Sequence, residues 1–131
     1  MADRGASLSS IRPTQQSASV LVLHQAPGGW GLPTLSPFCL KLQTYLSMAA
    51  MPFRCVSGEH PAKGPKHKIP WIEHAGRRLG DSGLIIEYLQ TQSGYNPDHG
   101  MSASDRAVAH GMRRLLEDSL AWALKIGRAH V

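Results

Sequence analysis

The order of the first half of this 131-residue chain limits its fold more than any other feature: a short apolar strand, a loop, a capped helix and a second strand. Ser19-Val20-Leu21-Val22-Leu23-His24 is nearly continuous in apolar character, as expected of a buried strand. Ala26 to Leu35 holds Pro27, Gly28, Gly29, Gly31 and Pro33 and reads as a loop. A helix begins at Ser36, a good N-cap, with Pro37 at the first helical position, where its missing N–H costs nothing. Cys39, Leu42, Tyr45, Leu46 and Ala49 then fall on one face, and Pro52 lies beyond the helix end. Phe53-Arg54-Cys55-Val56 reads as a second strand, with Cys55 in the core. A helical crossover between two strands makes them parallel.

Further on, Trp71-Ile72-Glu73-His74 and Arg77-Arg78-Leu79 flank a turn at Ala75-Gly76, a hairpin signal. Asp81 and Ser82 open another helix, with Leu84, Ile85, Tyr88 and Leu89 on its expected inner face. Ser102 with Asp105 forms a capping-box-like start. Val108, Met112, Leu115, Leu116, Ala123 and Leu124 then pattern a long amphipathic helix. The fold class is α/β, a mixed sheet built as βαβ followed by ββα. Residues 1–18 read as a disordered leader, 19–93 as the α/β domain, and 94–125 as a linker with the first helix of a second, helical domain.

Composition removes several classes. Hydrophobic residues make up 42% and charged residues 18%, enough for one ordinary core. The net charge is +5, part of it in Lys63, Lys66 and Lys68, a loop run that reads as solvated or as an anion-binding rim. No aromatic residues interleave with these lysines, which argues against nucleic acid. Two cysteines make no disulfide framework, and the seven histidines show no metal-ligand spacing. No signal peptide or membrane-length apolar run is evident, so the expected location is cytoplasmic.

Three local features, in this order, resemble the thioredoxin-like N-terminal domain of glutathione transferases. Ser36-Pro37-Phe38-Cys39 looks like a glutaredoxin redox motif with Ser in place of the first Cys. Lys68-Ile69-Pro70-Trp71 resembles the segment whose proline is cis in that family and whose preceding residue pairs with the glutathione backbone. Gly80-Asp81-Ser82-Gly83 resembles the acid-Ser motif that receives the γ-glutamyl group. Within the superfamily the likeness is greatest to the failed-axon-connections and metaxin branch. It is carried by Gly28-Gly29-Trp30-Gly31-Leu32-Pro33, by Leu35 to Leu46, and by the stretch around Arg113-Arg114-Leu115-Leu116-Glu117.

The resemblance implies glutathione as co-substrate, no metal, an electrophile as second substrate, and a possible homodimer of the full-length protein. Ser36 would hold the thiolate, Ile69 the cysteinyl backbone, and Asp81 with Ser82 the γ-glutamyl group. Lys63, Lys66 and Lys68 would meet the glycyl carboxylate. The physics is sufficient: lowering a thiol pKa by about 2 takes about 2.7 kcal/mol. A hydrogen bond to a charged group contributes roughly 1.5–3 kcal/mol, and a helix N-terminus adds about 0.3–1 kcal/mol. Plainer roles stay open at each position. Ser36 also reads as an N-cap alone, Cys39 as a packing thiol or a redox group, and Asp81-Ser82 as a helix cap. Trp30 and Trp71 read equally well as pocket lining or as packing.

The expected function is therefore glutathione-dependent transferase chemistry, with catalytic groups Ser36 and Cys39 and binding groups Lys68, Ile69, Pro70, Asp81 and Ser82. The alternatives are a non-catalytic metaxin-like interaction protein and a glutaredoxin-like oxidoreductase using Cys39. Ile126-Gly127-Arg128-Ala129-His130-Val131 resembles a translated sequencing adapter, so the expected native sequence stops near Leu124 and the chain is truncated.

Overall fold

The computed structural model describes residues 19–58 and 60–129, with residues 127–129 described by backbone alone. The leader assigned to residues 1–18 and the last two residues of the adapter-like tail lie outside the described residues. Four strands form one sheet: β1 Leu21–Gln25, β2 Phe53–Ser57, β3 Trp71–His74 and β4 Arg77–Gly80. Their order across the sheet is β2-β1-β3-β4, with β1 parallel to β2 and antiparallel to β3. The parallel pair follows from the crossover helix α1, Pro37–Met48, as the sequence implies. The β3–β4 hairpin closes through Ala75 and Gly76, both at positive φ.

Helix α1 and helix α2, Ser82–Ser93, cover one face of the sheet. Leu21, Leu23 and Ile72 from the strands meet Leu42, Leu46, Ile85 and Leu89 from the helices. Cys39, Leu42, Tyr45 and Leu46 are buried as the periodicity predicts. Two core assignments fail. Leu84 is 52% exposed, because Ile85 and Leu89 already take the sheet-facing stripe of α2. Cys55 is exposed, because β2 is an edge strand and its neighbours cover only part of the thiol.

The opposite face of the sheet is covered by the segment between β2 and β3, which winds through two short 3₁₀ turns, Pro61–Lys63 and Pro65–His67. His24 stacks on Trp71 with ring centroids 3.6 Å apart and planes 2° from parallel. The Arg78 guanidinium lies 4.6 Å from the Trp71 ring centre and also donates to the Lys63 carbonyl. A Cβ on Gly64 would sit 2.5 Å from Trp71 Cδ1, so the backbone there lies directly on the indole. Trp71 is thus packing rather than pocket lining, and Trp30 is exposed in its loop.

The long helix is not uniform. Helix α3, Ala103–Arg114, passes into a π-helical segment, Leu115–Leu120, and then into helix α4, Ala121–Ala129. Ser102 caps it through Asp105 N, and Ser102 Oγ donates to the Asp105 carboxylate, as the capping-box pattern predicts. Val108, Met112, Leu115, Leu116, Trp122 and Leu124 along it are all exposed. The helix runs on through the adapter-like residues to Ala129, and Ile126 is exposed. No helix among the described residues is long and apolar enough to cross a membrane.

Candidate functional site

A cleft of about 670 Å³ lies where the turn before β3 meets the start of α2. Lys68, Ile69, Pro70, Asp81 and Ser82 all line it. The Ile69–Pro70 peptide bond is cis, as expected from the motif. No hydrogen bond among the described residues engages the Ile69 backbone. A ligand peptide unit can therefore pair there without displacing a protein partner.

Asp81 adopts φ 71 and ψ 114, a conformation that costs a non-glycine residue about 1–3 kcal/mol and is concentrated at ligand clamps. Its Oδ1 accepts from Gly83 N at 2.9 Å and Leu84 N at 3.3 Å, capping α2. Oδ2 has no hydrogen-bond partner among the described residues. Ser82, first residue of α2, is buried, and its hydroxyl is unengaged among the described residues. The site thus offers a carboxylate oxygen for an ammonium group, and a hydroxyl at a helix N-terminus for a carboxylate.

Ser36 is the N-cap of α1: its Oγ accepts from Cys39 N at 3.3 Å. It does not line the cleft, whereas Phe38, two residues on, does. Capping uses an oxygen lone pair and leaves the Ser36 O–H free to donate. Cys39 is wholly buried and does not line this cleft. Lys66 and Lys68 line the cleft and form no ion pair among the described residues.

The opposite wall comes from the long helix, through Arg113, Arg114, Glu117, Asp118, Ala121 and Trp122. The sequence reading gave none of these a role. The available signal was the Arg113-Arg114 pair together with the i,i+4 spacing of Arg114 and Asp118, which pair at 2.7 Å. Glu117 turns to Lys41 on α1, with Nζ and Oε1 2.5 Å apart.

The family model described as glutathione S-transferase N-terminal domain matches residues 37–130. The chain belongs to this family. Over 92% of its length it is 29% identical to Failed axon connections of Drosophila melanogaster, covering 29% of that protein. Over 72% of its length it is 34% identical to the isoprene-epoxide–glutathione S-transferase of Rhodococcus sp. (strain AD45), covering 41% of it. Metaxin-3 of Xenopus laevis is 29% identical over 70% of the chain, which covers 29% of that protein. A tau-class glutathione S-transferase from mango, Mangifera indica, superposes with TM-score 0.65 over 82% of this chain and 50% of its own, at 20% identity. That likeness carries the thioredoxin-like fold. The chain spans less than half the length of these curated relatives.

Proposed function

We propose that this glutathione S-transferase N-terminal domain binds glutathione in the cleft at the start of α2 and presents its thiol to an electrophile. The convergence of the unengaged Ile69 backbone, Asp81 Oδ2 and the Ser82 hydroxyl on one cleft carries this reading. Ile69 pairs with the cysteinyl unit, Asp81 takes the γ-glutamyl ammonium, and Ser82 with the α2 amides takes its carboxylate. Lys66 and Lys68 meet the glycyl carboxylate. In the transferase step the thiolate sulfur forms a bond to an electrophilic carbon, and the thiol proton goes to the displaced or opened group. Ser36 donates its free O–H to the sulfur. Residues 19–93 form the glutathione half, and the long helix begins the second, helical domain.

Isothermal titration of the chain with glutathione and with cysteinylglycine, which lacks the γ-glutamyl group, tests the assignment. Glutathione binds, and cysteinylglycine binds at least about tenfold more weakly, the loss expected for about 1.4 kcal/mol of γ-glutamyl recognition. Equal binding, or none by glutathione, rejects it.

One observation favours a second reading. Ser36 is engaged as a cap and lies outside the cleft lining, while apolar side chains stand exposed along the long helix. A protein that holds glutathione, or only keeps the fold, and uses the helix face to dock a partner fits both. Conjugation of chlorodinitrobenzene by the full-length protein separates the two: turnover lost in Ser36→Ala supports the transferase.

A further inference from the structure

Two polar side chains at the approach to α1 are almost wholly buried: Gln25, the last residue of β1, at 2% exposure, and Thr34, in the loop, at 1%. Gln25 Nε2 donates to the Pro33 carbonyl at 3.4 Å. Thr34 Oγ1 accepts from Ser36 N at 3.3 Å, and Ser36 Oγ in turn accepts from Cys39 N. The same loop is closed on itself by Leu35 N, which donates to the Pro27 carbonyl at 2.9 Å. Sheet, loop and helix cap are thus joined in one file that ends at the Ser36 hydroxyl. Gln25 Oε1 is buried and has no hydrogen-bond partner among the described residues. A buried acceptor without a partner destabilises the fold, so packing alone does not favour a glutamine at the end of this leucine-rich strand.

We propose that Thr34 is a positioning residue for the Ser36 hydroxyl, with Gln25 as its tie to the sheet. This rests on the reading that Ser36 donates to the glutathione sulfur. Pro37 confines the residue before it to extended backbone, and Ser36 adopts φ -90 and ψ 122. Rotation about φ is the freedom that remains, and the bond from Ser36 N to Thr34 Oγ1 restrains it. A threonine oxygen that accepts the N–H two residues on forms a local turn of its own, so Ser36 is seated before the helix begins. With the backbone held, Cys39 N takes one lone pair of Oγ and the O–H is left to donate. A donor fixed in advance stabilises a thiolate without reorganising as the charge forms.

The test compares Thr34→Val, which keeps the branched shape and loses the acceptor, with Thr34→Ser, which keeps the acceptor, in the 131-residue chain. Thiolate absorbance of bound glutathione reads the site. Thr34→Val raises the bound thiol pKa by about 0.7, a loss of about fivefold in thiolate, the factor carried by one neutral hydrogen bond. Thr34→Ser restores it. Thr34→Val added to Ser36→Ala shifts the pKa no further, because Thr34 acts through Ser36. S-methylglutathione, which has no thiol to ionise, binds parent and Thr34→Val alike. Without ligand, Thr34→Val speeds hydrogen exchange at the Cys39 amide by about fivefold as the cap loosens. Circular dichroism verifies each fold, and Gln25→Met, which loses the tie to Pro33, shifts both readouts the same way and carries the test if Thr34→Val does not fold. An unchanged Cys39 exchange rate overturns the proposal. So does a bound thiol pKa that answers to Ser36→Ala and not to Thr34→Val, a shift that adds to that of Ser36→Ala, or an equal loss of S-methylglutathione affinity. Faster Cys39 exchange in a chain that does not bind glutathione, or whose bound thiol is indifferent to Ser36→Ala, leaves Thr34 as the seat of Ser36 and rejects the transferase reading alone.

Discussion

Lys41 on α1 and Glu117 on the π-helical segment meet at 2.5 Å, and the pair links the sheet-covering helix α1 to the long helix. Both side chains are largely covered, so water weakens the attraction less than at an open surface. Because the two residues lie far apart in sequence, the contact fixes the long helix against α1.

Lys41→Met is expected to lower stability by about 1–2 kcal/mol, between the values for exposed and buried pairs. Glu117→Gln should cost a similar amount, and the double variant less than the sum. Urea unfolding of the four proteins measures the coupling. Strict additivity would show that the contact contributes nothing.

Ser36→Ala should cost about 0.5–2 kcal/mol as a lost N-cap. Under the transferase reading it also raises the thiol pKa of bound glutathione, followed by thiolate absorbance during titration, and Ser36→Thr restores it. An unchanged pKa reduces Ser36 to a cap.

Gly64→Ala places a methyl 2.5 Å from Trp71 Cδ1 and 2.6 Å from the Lys68 carbonyl. The loop must lift, at about 1–3 kcal/mol of overpacking. Lys66 and Lys68 move with it, so glutathione affinity should fall more than for Gly76→Ala, whose Cβ meets open space in the hairpin turn. Equal affinities in the two variants would separate the loop from the ligand.

Burial by its neighbours pushes the Cys55 thiol up. Iodoacetamide should label Cys55 slowly at pH 7.5 and faster as pH rises, while Cys39 reacts only on unfolding. Below the ordinary thiol range both folded and unfolded chains keep the Cys55 proton. As pH climbs through that range the unfolded chain releases it first, so stability declines slightly. Mass spectrometry of labelled peptides reads the first effect, and unfolding across pH the second. Prompt labelling of Cys39 in the folded chain would contradict its burial.

The strands, α1, α2 and the cis Ile69–Pro70 bond were legible because each carries a local signature: an apolar run, a Ser-Pro cap, a turn dipeptide or a motif. Asp81 and Ser82 were legible for the same reason. The misassigned Cys55 and Leu84 depend on which strand is the edge and which stripe the sheet claims, and neither is written locally. Arg113, Glu117 and the Lys41 link depend on how a distant helix docks, which periodicity does not specify. The segment over Trp71 was read as loop; its tight seat on the indole appears only once β3 and the turns are assembled.

The π-helical stretch means that a helical wheel drawn through the long helix misleads. Ala121 N bonds to Leu116 O, five residues back, so each such turn absorbs one residue more than an α-turn. Everything downstream is rotated by about 100° relative to an uninterrupted α-helix. Trp122 reaches the cleft wall in that rotated frame. Removing Ser119, which does not line the cleft, would restore the ideal winding and swing the indole to another azimuth, altering the pocket while leaving every residue that lines it in the sequence.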